Sequence, residues 1–448
     1  MHYSREEIIQ AARNAGIVGS GGAGFPTYIK LSSNVDTIIA NGSECEPLLM
    51  SDKELMKDSP AYLIEGVKLA MIATGATKGY IAIKGCYEDV VAAVAAELPD
   101  DNTIEIHELE NYYPAGDEYM TVYDVTGKVI PEGSIPPDVG VMVSNVLTFI
   151  QIAQSVSGKK VTERALTVTG EVNNPQVMSV PIGTSYNDVL KLAGGISHPD
   201  AVVMDGGPMM GEIVTDLDRG IAKTTSGLVV LPREHLIVRQ KTKTLSQMVK
   251  LSKAACCQCT RCTDLCPRHL LGHDLHPHMT MRTIDYNLTE PTKHITSAFL
   301  CSQCGLCEMI SCDSMLLSPK KIYAEYKKLL LEKGIKNPHN KKTETRDHLN
   351  ERKVSIPMVI KKLNLGEYYN KKPLFTGRKE TLRTRIATNR HIGVPAIPIV
   401  GIGEKVKIGD MIAKSPDEKV GTIYHASIKG EIMEITHDEI CIRKVGSR

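Results

Sequence analysis

Hydrophobic residues recur at helical spacing near the start of the 448-residue chain. Ile8, Ile9 and Ala12 fall on one face of a helix, and Ser4 followed by Glu7 has the pattern of a capping box. These residues predict an amphipathic helix that begins just after Ser4. The predicted helix leads directly into the glycine-rich stretch GIVGSGGAGFPTYIKL.

Helical and strand-like segments then alternate up to about residue 160. The stretches YLIEGVKLAMIATGA and YEDVVAAVAAEL predict helices, whereas GYIAIKG and TIEIHEL predict strands. Such alternation is typical of α/β proteins. We therefore expect residues 1–160 to form an α/β domain.

The pattern changes in the later parts of the chain. Residues 161–240 predict a small α+β unit, with strands in RALTVTGEV and VMSVPIGTS and a capped helix in SYNDVLKLAGGI. Residues 245–335 predict helices around a group of cysteines, including the amphipathic stretch KKIYAEYKKLLLEKGI. We expect residues 336–385 to be a linker. Short strands separated by regular turn signals predict a small all-β barrel or sandwich over residues 386–448.

Composition and charge narrow the class of protein. The chain is 42% hydrophobic and 23% charged with a net charge of +1, which is ordinary for a globular protein of about three domains and gives no indication of nucleic-acid binding. No apolar run is long enough for a transmembrane helix. The amino terminus, MHYSREEIIQ, has no basic region followed by an apolar stretch, so no signal peptide is predicted. We expect a cytoplasmic protein.

The glycine-rich stretch fits a dinucleotide-binding pattern only in part. Gly19, Gly21 and Gly24 match G-x-G-x-x-G, but a Rossmann loop must follow a strand and open a helix. Here a helix is predicted before the loop, and Pro26 disfavours a helical conformation just after it. Glycines nevertheless allow backbone N–H groups to converge on an anion. A different phosphate-binding loop and a simple turn both remain open on this pattern alone.

The cysteines carry a stronger signal. Nine of the 12 lie between residues 256 and 312, and in a reducing compartment such a group favours metal binding over disulfides. The first run has the spacing C-x2-C-x2-C-x3-C-P of bacterial [4Fe–4S] proteins, and the second has C-x2-C-x2-C-x4-C. The two runs are Cys256, Cys259, Cys262 and Cys266, then Cys301, Cys304, Cys307 and Cys312. They predict two [4Fe–4S] clusters, with structural zinc as the alternative.

The ferredoxin pattern also predicts how the two runs share the clusters. In two-cluster ferredoxins the fourth cysteine of a run ligates the other cluster. Cys312 would therefore complete the cluster of the first run, and Cys266 that of the second. Cys257 is surplus in this register. The histidines that follow the first run are interpreted as structural, with metal or acid binding as the alternative: His269, His273, His276 and His278.

Iron–sulfur clusters carry single electrons, and a flavin is the natural partner that converts a hydride pair into them. Four stretches of the predicted α/β domain then acquire a meaning: GSGGAGFPT with Lys30, ANGSECEP at 40–47, YPAGDE at 113–118 and VSNVLT at 143–148. Together they resemble the FMN- and NADH-binding subunit of respiratory complex I and, more closely, the RnfC protein of the Rnf complex.

The later modules resemble the same families. Residues 161–240 resemble the β-grasp (SLBB-like) domain of those proteins, residues 245–335 a helical two-cluster ferredoxin-like domain, and residues 386–448 the barrel-sandwich hybrid of RnfC. In RnfC the hybrid module precedes the flavin domain, whereas here it is C-terminal. This order, with CTRCTDLCPRHLLGHDLHPH, is similar to the corrinoid reductases of propanediol-utilising microcompartments.

The resemblance implies which residues would bind FMN. The positions that would let the backbone approach the cofactor are Gly21, Gly22 and Gly24. The cation that would neutralise its phosphate is Lys30. The groups that would hydrogen-bond the flavin or lie near the phosphate are Asn41, Asn145 and Thr148.

The resemblance also implies a site for NADH. Glu44, Glu46 and Glu118 would lie on the nicotinamide side of the flavin. Two residues depart from the complex I pattern, since Ser20 stands in place of an arginine and Ser43 in place of an aspartate. A solvated acidic loop is the alternative interpretation of Glu44 and Glu46.

The implied function is that of an NADH-dependent cobalamin reductase. NADH would reduce FMN, and two [4Fe–4S] clusters would pass single electrons to cobalamin, giving cob(I)alamin for adenosylation during propanediol degradation. The implied partners are an adenosyltransferase and shell proteins of a bacterial microcompartment that would enclose the protein. Two alternatives remain open: an Rnf-type or other electron-transfer subunit with a different acceptor, and a scaffold that docks in the microcompartment.

Overall fold

A computed structural model describes residues 3–288, 290–313 and 315–445 of the chain. The amino-terminal part is an α/β domain, as predicted. Helix α1 is capped as its sequence indicates, because the Glu7 N–H donates to Ser4 Oγ (3.3 Å) and the Ser4 N–H donates to the Glu7 carboxylate (2.8 Å). The helices are α1 (Arg5–Asn14), α2 (Thr27–Leu31), α3 (Ser51–Asp58), α4 (Pro60–Thr74), α5 (Glu88–Ala95), α6 (Glu118–Thr126) and α7 (Val146–Ser155). The strands are β1 (Thr37–Asn41), β2 (Lys78–Lys84), β3 (Ile104–Leu109), β4 (Tyr112–Tyr113) and β5 (Val141–Asn145).

Four of these strands form a parallel sheet in the order β3-β2-β1-β5. The chain runs outward from β1 to β2 and β3 and then returns to the other side of β1 to form β5. In such sheets, ligands bind in the crevice at the carboxyl ends of the strands where the order reverses. Asn41 and Asn145, the last residues of β1 and β5, are register partners at this point.

Both faces of the parallel sheet are buried. Ile38 and Ala40 face the core that includes α1, α4 and α7. Ile39 and Val143 face the opposite side, where they join Val122 of α6 in a second apolar cluster. The alternation along β1 explains why this strand is apolar at every interior position, as is usual for parallel strands covered on two sides.

The second domain contains the predicted strands and the predicted capped helix. Its helix starts at Ser185, whose hydroxyl accepts the Asp188 N–H. Strand β6 is central, since it pairs antiparallel with β7 and parallel with β10. The elements are β6 (Glu163–Gly170), β7 (Gln176–Pro181), α8 (Tyr186–Leu192), β8 (Ala201–Asp205), β9 (Glu212–Ile213) and β10 (Gly227–Pro232).

The region around the cysteines is helical, as predicted, and the helices are short. A 3-10 turn covers Ser297–Leu300 and a π-helical turn covers Cys307–Ser311. The helices are α9 (Leu236–Thr242), α10 (Leu245–Ala255), α11 (Arg261–Asp264), α12 (Pro267–Leu270), α13 (Pro277–Asp285), α14 (Lys293–Thr296) and α15 (Pro319–Glu332).

The segment 336–385 differs from the linker that the sequence suggested. It contains β11 (Val354–Ser355), α16 (Ile356–Lys362), α17 (Gly366–Tyr369) and β12 (Phe375–Arg378). Strand β11 pairs with β4 of the first domain, and β12 adds an edge strand to the sheet of the second domain. Val359, Leu363 and Leu365 are fully buried. The segment is therefore folded onto the first two domains, because its apolar side chains complete their surfaces.

The carboxy-terminal region is all-β, as predicted. It forms two antiparallel sheets in the orders β13-β19-β18-β15 and β14-β16-β17. Its strands are β13 (Arg383–Ala387), β14 (Ile397–Pro398), β15 (Lys405–Val406), β16 (Met411–Lys414), β17 (Ile423–His425), β18 (Gly430–Ile435) and β19 (Glu439–Arg443).

A buried lysine connects this module with the first two domains. Lys223, from the second domain, donates to the carbonyl oxygens of Gly16 (2.6 Å) and Ile423 (2.7 Å). Helices α4 and α15 have 15 and 14 residues. Within the ranges that the structure describes, no helix is both long and apolar enough to cross a membrane.

Candidate functional site

A cavity of about 420 Å³ lies at the carboxyl ends of β1 and β5, next to the loop 19–24. A Cβ added to Gly21 would lie 3.0 Å from Asn145 Nδ2, whereas one added to Gly22 would meet no atom within 4 Å. Gly24 has φ +78°, a conformation that glycine adopts without strain. These glycines bring the backbone to the cavity wall. Because α1 and not a strand precedes the loop, it is not a Rossmann loop.

Nine of the ten residues that the sequence suggested for cofactor binding line this cavity. They are Gly21, Gly22, Gly24, Lys30, Asn41, Glu44, Glu46, Glu118 and Asn145. The tenth, Thr148, is buried behind the loop, where its hydroxyl accepts the Ser20 N–H (3.2 Å). Thr148 therefore acts on the shape of the glycine loop.

Lys30 is held in the cavity by two hydrogen bonds. Its Nζ lies 3.1 Å from Glu118 Oε1 and donates to the Val143 carbonyl at 2.8 Å. The ammonium group is therefore anchored beside a carboxylate, with one N–H still free to face a ligand.

The two asparagines fix the strand ends. Asn41 donates through Nδ2 to the Gly116 carbonyl (2.9 Å), which ties β1 to the loop before α6. Asn145 caps α7 by accepting the Leu147 N–H (2.9 Å), and its Nδ2 donates to Asp52 Oδ2 (2.6 Å). Both side chains are thus oriented by neighbours before any ligand binds.

Glu44 and Glu46 are both engaged with backbone N–H groups, so the solvated-loop interpretation does not describe them. Glu44 accepts the N–H groups of Asp52 (2.9 Å) and Lys53 (3.1 Å) at the start of α3. Glu46 accepts those of Met209 (2.9 Å) and Met210 (2.6 Å) in the second domain. Burial raises the pKa of Glu46, although these two N–H groups oppose the shift.

Two residues of the cavity have no sequence motif that indicates them. Asp52 lies in the first turn of α3, where burial and the nearby Glu44 raise its pKa to about 7. Arg164 comes from β6 of the second domain and is only 2% exposed. Its Nη2 donates to the Ser20 carbonyl (2.9 Å). Only the tertiary structure brings these two charges together.

The second cysteine run adjoins this cavity. Cys301, Cys304 and Cys307 line a separate small cavity of about 20 Å³ together with Cys266 of the first run. Cys304 also lines the larger cavity, and its carbonyl accepts the Tyr113 hydroxyl (2.6 Å). The glycine-loop cavity and this group of thiols therefore share a wall.

The other four cysteines form a second group. Burial raises the pKa of Cys262, and the thiols of Cys312, Cys256 and Cys259 add to the shift because they lie close to it. Cys257 is exposed. The two groups match the crossed arrangement that the ferredoxin pattern predicts.

Tight backbone turns shape both runs. Gln258, Thr260 and Gln303 have positive φ angles of 56°, 64° and 61°. Gln258 Nε2 lies 3.2 Å from Cys256 Sγ, and the Gln303 N–H donates to Cys301 Sγ at 3.4 Å. These N–H groups would stabilise thiolates, as hydrogen bonds to cluster sulfurs do.

The histidines after the first run have structural contacts. His269 hydrogen-bonds the Leu275 carbonyl (3.1 Å), and His273 hydrogen-bonds the Ile130 carbonyl (2.9 Å). Burial lowers the pKa of His269 to about 4, so its ring is neutral at pH 7. Among the described residues, no three His, Cys, Asp or Glu side chains are close enough to hold a single metal ion.

Family models match four parts of the chain. The Nuo51 FMN-binding domain matches residues 12–154, the SLBB domain 166–212, the 4Fe-4S dicluster domain 255–317 and the RnfC barrel sandwich hybrid domain 374–444. Together with the cavity and the two thiol groups, these matches define an electron-transferring iron–sulfur flavoprotein, and the cofactors predicted from the sequence are confirmed at the level of FMN and a 4Fe-4S dicluster.

Full-length relatives specify the family. Cobalamin reductase PduS of Citrobacter freundii is 40% identical over 443 residues, which are 98% of this chain and 97% of the relative. PduS of Salmonella typhimurium is 38% identical over 445 residues, 99% of this chain and 97% of the relative. The chain belongs to the family of PduS cobalamin reductases.

More distant similarities agree with the modular fold. The RnfC-type component of the Na(+)-translocating ferredoxin:NAD(+) oxidoreductase complex of Acetobacterium woodii is 36% identical over 273 residues, which cover 59% of this chain and 58% of that relative. The crystal structure of NAD+-reducing [NiFe]-hydrogenase in the H2-reduced state has a TM-score of 0.50 at 21% identity and covers 75% of this chain. This chain spans 63% of the hydrogenase chain, and the likeness concerns the fold.

Proposed function

We propose that the protein is an NADH-dependent cobalamin reductase in which the glycine-loop cavity and the two cysteine groups form one electron-transfer route. The observation that carries this proposal is the wall shared by the cavity and the second cysteine run, through Cys304. A donor that reacts in the cavity is thereby adjacent to a single-electron carrier. The names of the full-length relatives supply the acceptor.

The residues of the cavity fit FMN. The glycine loop leaves space for a ligand at Gly22, and the cations Lys30 and Arg164 suit a phosphate. Asn41 and Asn145 would orient the flavin, and Glu46 and Glu118 would shape the side where NADH enters. When bound, FMN supplies the conversion of a hydride pair into single electrons.

The cysteines fit two [4Fe–4S] clusters in the crossed arrangement. Cys266 with Cys301, Cys304 and Cys307 would hold the cluster nearest the flavin. Cys262, Cys256 and Cys259 with Cys312 would hold the more distant one. All eight thiols belong to turns that bring the thiols of one group close together, and the excess of thiolates over other ligands favours iron–sulfur clusters over zinc.

The relatives' names also bear on partners and location. A protein that makes cob(I)alamin must pass a highly reactive product onward, which supports direct use by an adenosyltransferase. The PduS relatives favour a place inside a bacterial microcompartment together with its shell proteins. An Rnf-type role is less favoured, because the RnfC-type relative matches 59% of this chain whereas the PduS proteins match nearly all of it.

The test is flavin-dependent turnover with cobalamin. Purified, cluster-reconstituted protein is assayed anaerobically for NADH oxidation with cob(III)alamin as acceptor, before and after removal of FMN. We expect activity to disappear with the flavin and to return when FMN is added. Cobalamin reduction that is independent of flavin would contradict the proposal, as would dye reduction without cobalamin reduction.

A further inference from the structure

A buried arginine of the second domain reaches the flavin cavity of the first. Arg164 lies in β6, is 2% exposed and lines the cavity wall. Burying a guanidinium group costs free energy unless its N–H groups find partners. Every contact of this side chain therefore bears on its purpose.

Two of the three guanidinium nitrogens have protein partners. Nε donates to the Thr225 carbonyl (2.5 Å) and Nη2 to the Ser20 carbonyl (2.9 Å). Nη1 is buried and has no hydrogen-bond partner among the described residues. The two bonds fix the plane of the group against the glycine loop and leave its third nitrogen for something that the protein itself does not provide.

The surroundings of Arg164 suit an anion. The glycine loop 19–24 lies against it, and α7, a helix of ten residues, begins at Asn145 on the same cavity. Helix amino termini and closely approaching backbone N–H groups favour negative charge. Two independent features, the unpartnered nitrogen and this helix terminus, thus converge on one end of the cavity.

Three carboxyl groups also act on Arg164. Asp52, Asp205 and Glu44 attract the guanidinium. None of them is hydrogen-bonded to it, and each has another partner: Asp52 binds Asn145, Asp205 binds Tyr186, and Glu44 caps α3. The carboxylates keep Arg164 charged without occupying Nη1.

We propose that Arg164 binds the phosphate of FMN, so that the second domain supplies a cofactor ligand that none of the four flavin-domain motifs contains. This inference rests on the proposed function and names a determinant of the same site. Arg164 stands behind Ser20, the position where the complex I pattern has an arginine. The phosphate is what distinguishes FMN from riboflavin, so Arg164 should set the preference for FMN.

The experiment compares the affinities of FMN and riboflavin. Flavin-free protein is titrated with each flavin by fluorescence quenching, using wild type, Arg164→Gln, Arg164→Lys and the control Arg233→Gln. Arg233 is an arginine of the same domain whose side chain is 59% exposed. We expect Arg164→Gln to weaken FMN by tenfold or more, about the loss of one charge-assisted hydrogen bond, and to change riboflavin less than twofold.

Arg164→Lys keeps the charge and should fall between wild type and Arg164→Gln, and Arg233→Gln should match wild type. An equal loss for both flavins, or an unchanged FMN-to-riboflavin ratio, would overturn the inference. If Arg164→Gln fails to fold, the ratio in Arg164→Lys decides by the same criterion. A wild-type protein that binds neither flavin would instead overturn the proposed function, so the two failures are distinguishable.

Discussion

Charges in the flavin cavity are balanced residue by residue. Lys30 pairs with Glu118 at 3.1 Å, and Arg164 is attracted by Asp52 and Glu44. Each cation is therefore held in position before a ligand arrives. A phosphate that binds here replaces part of an existing attraction, which makes the affinity sensitive to any single charge.

Lys30→Ala should weaken FMN retention by roughly tenfold, because it removes one cation and leaves Glu118 unpaired beside the phosphate. The measurement is FMN bound per chain after gel filtration. Lys68→Ala, an exposed lysine of α4, is the matched control. A Lys30→Ala protein that retains its full flavin would exclude Lys30 from the phosphate site.

Asp52→Asn should change how stability depends on pH. The folded protein holds the Asp52 proton up to about pH 7, whereas an ordinary aspartate loses it near 3.8. The folded state therefore binds more protons between these values, and the stability contributed by this group falls as pH rises through 7. An asparagine does not ionise, so the variant should gain melting temperature relative to wild type from pH 6 to pH 8.

The matched control for this comparison is Asp100→Asn, an exposed aspartate of the same domain. Melting curves at a series of pH values provide the measurement. Parallel profiles for wild type and Asp52→Asn would mean that Asp52 is already ionised in this range.

Residues of the site differ in how far the sequence reveals them. The glycines, Lys30 and both asparagines stand in short motifs and could be predicted. Asp52 and Arg164 lie in an ordinary helix and an ordinary strand, and they meet the cavity only because the two domains pack together. A charge that acts across a domain interface leaves no local pattern.

At the scale of elements, the cysteine turns determine which thiols share a cluster. Positive φ angles at Gln258, Thr260 and Gln303 fold each run tightly. The fourth cysteine of each run is carried away by α11 or the π-helical turn and joins the other group. The two runs are thereby tied into one unit.

Cys266→Ser should lose the cluster held by the second run, and Cys257→Ser should lose none. Iron content would fall from about eight to about four atoms per chain in the first variant, since each cluster holds four. Iron analysis and low-temperature EPR after reduction provide the measurement. Normal iron and unchanged signals in Cys266→Ser, or a lost cluster in Cys257→Ser, would refute the crossed arrangement.

Elements with strong periodicity were predictable, and those with remote partners were not. The predicted α1, α4 and β6 follow from capping residues and regular hydrophobic spacing. Segment 336–385 was expected to be a linker because its strands β11 and β12 are short and pair with β4 and β7, which lie far away in sequence. Strand formation of this kind depends on the neighbour more than on intrinsic preference.

At the scale of the whole molecule, the domains are joined around the electron route. Lys223 links all three β-containing modules, because it extends from the second domain to the Gly16 carbonyl of the first and the Ile423 carbonyl of the last. Glu46 binds the first domain to the loop at Met209 and Met210. The flavin cavity and the thiols beside it are thus held by contacts from several modules.

The most direct test of NADH-driven cobalamin reduction is an anaerobic stopped-flow experiment. Reconstituted protein that has been reduced with NADH is mixed with cob(II)alamin, while flavin, cluster and corrin absorbance are followed together. We predict that cob(I)alamin appears as the reduced flavin and clusters are reoxidised. Cob(II)alamin that stays unchanged, while the same preparation reduces an artificial dye, would contradict the assignment of cobalamin as the acceptor.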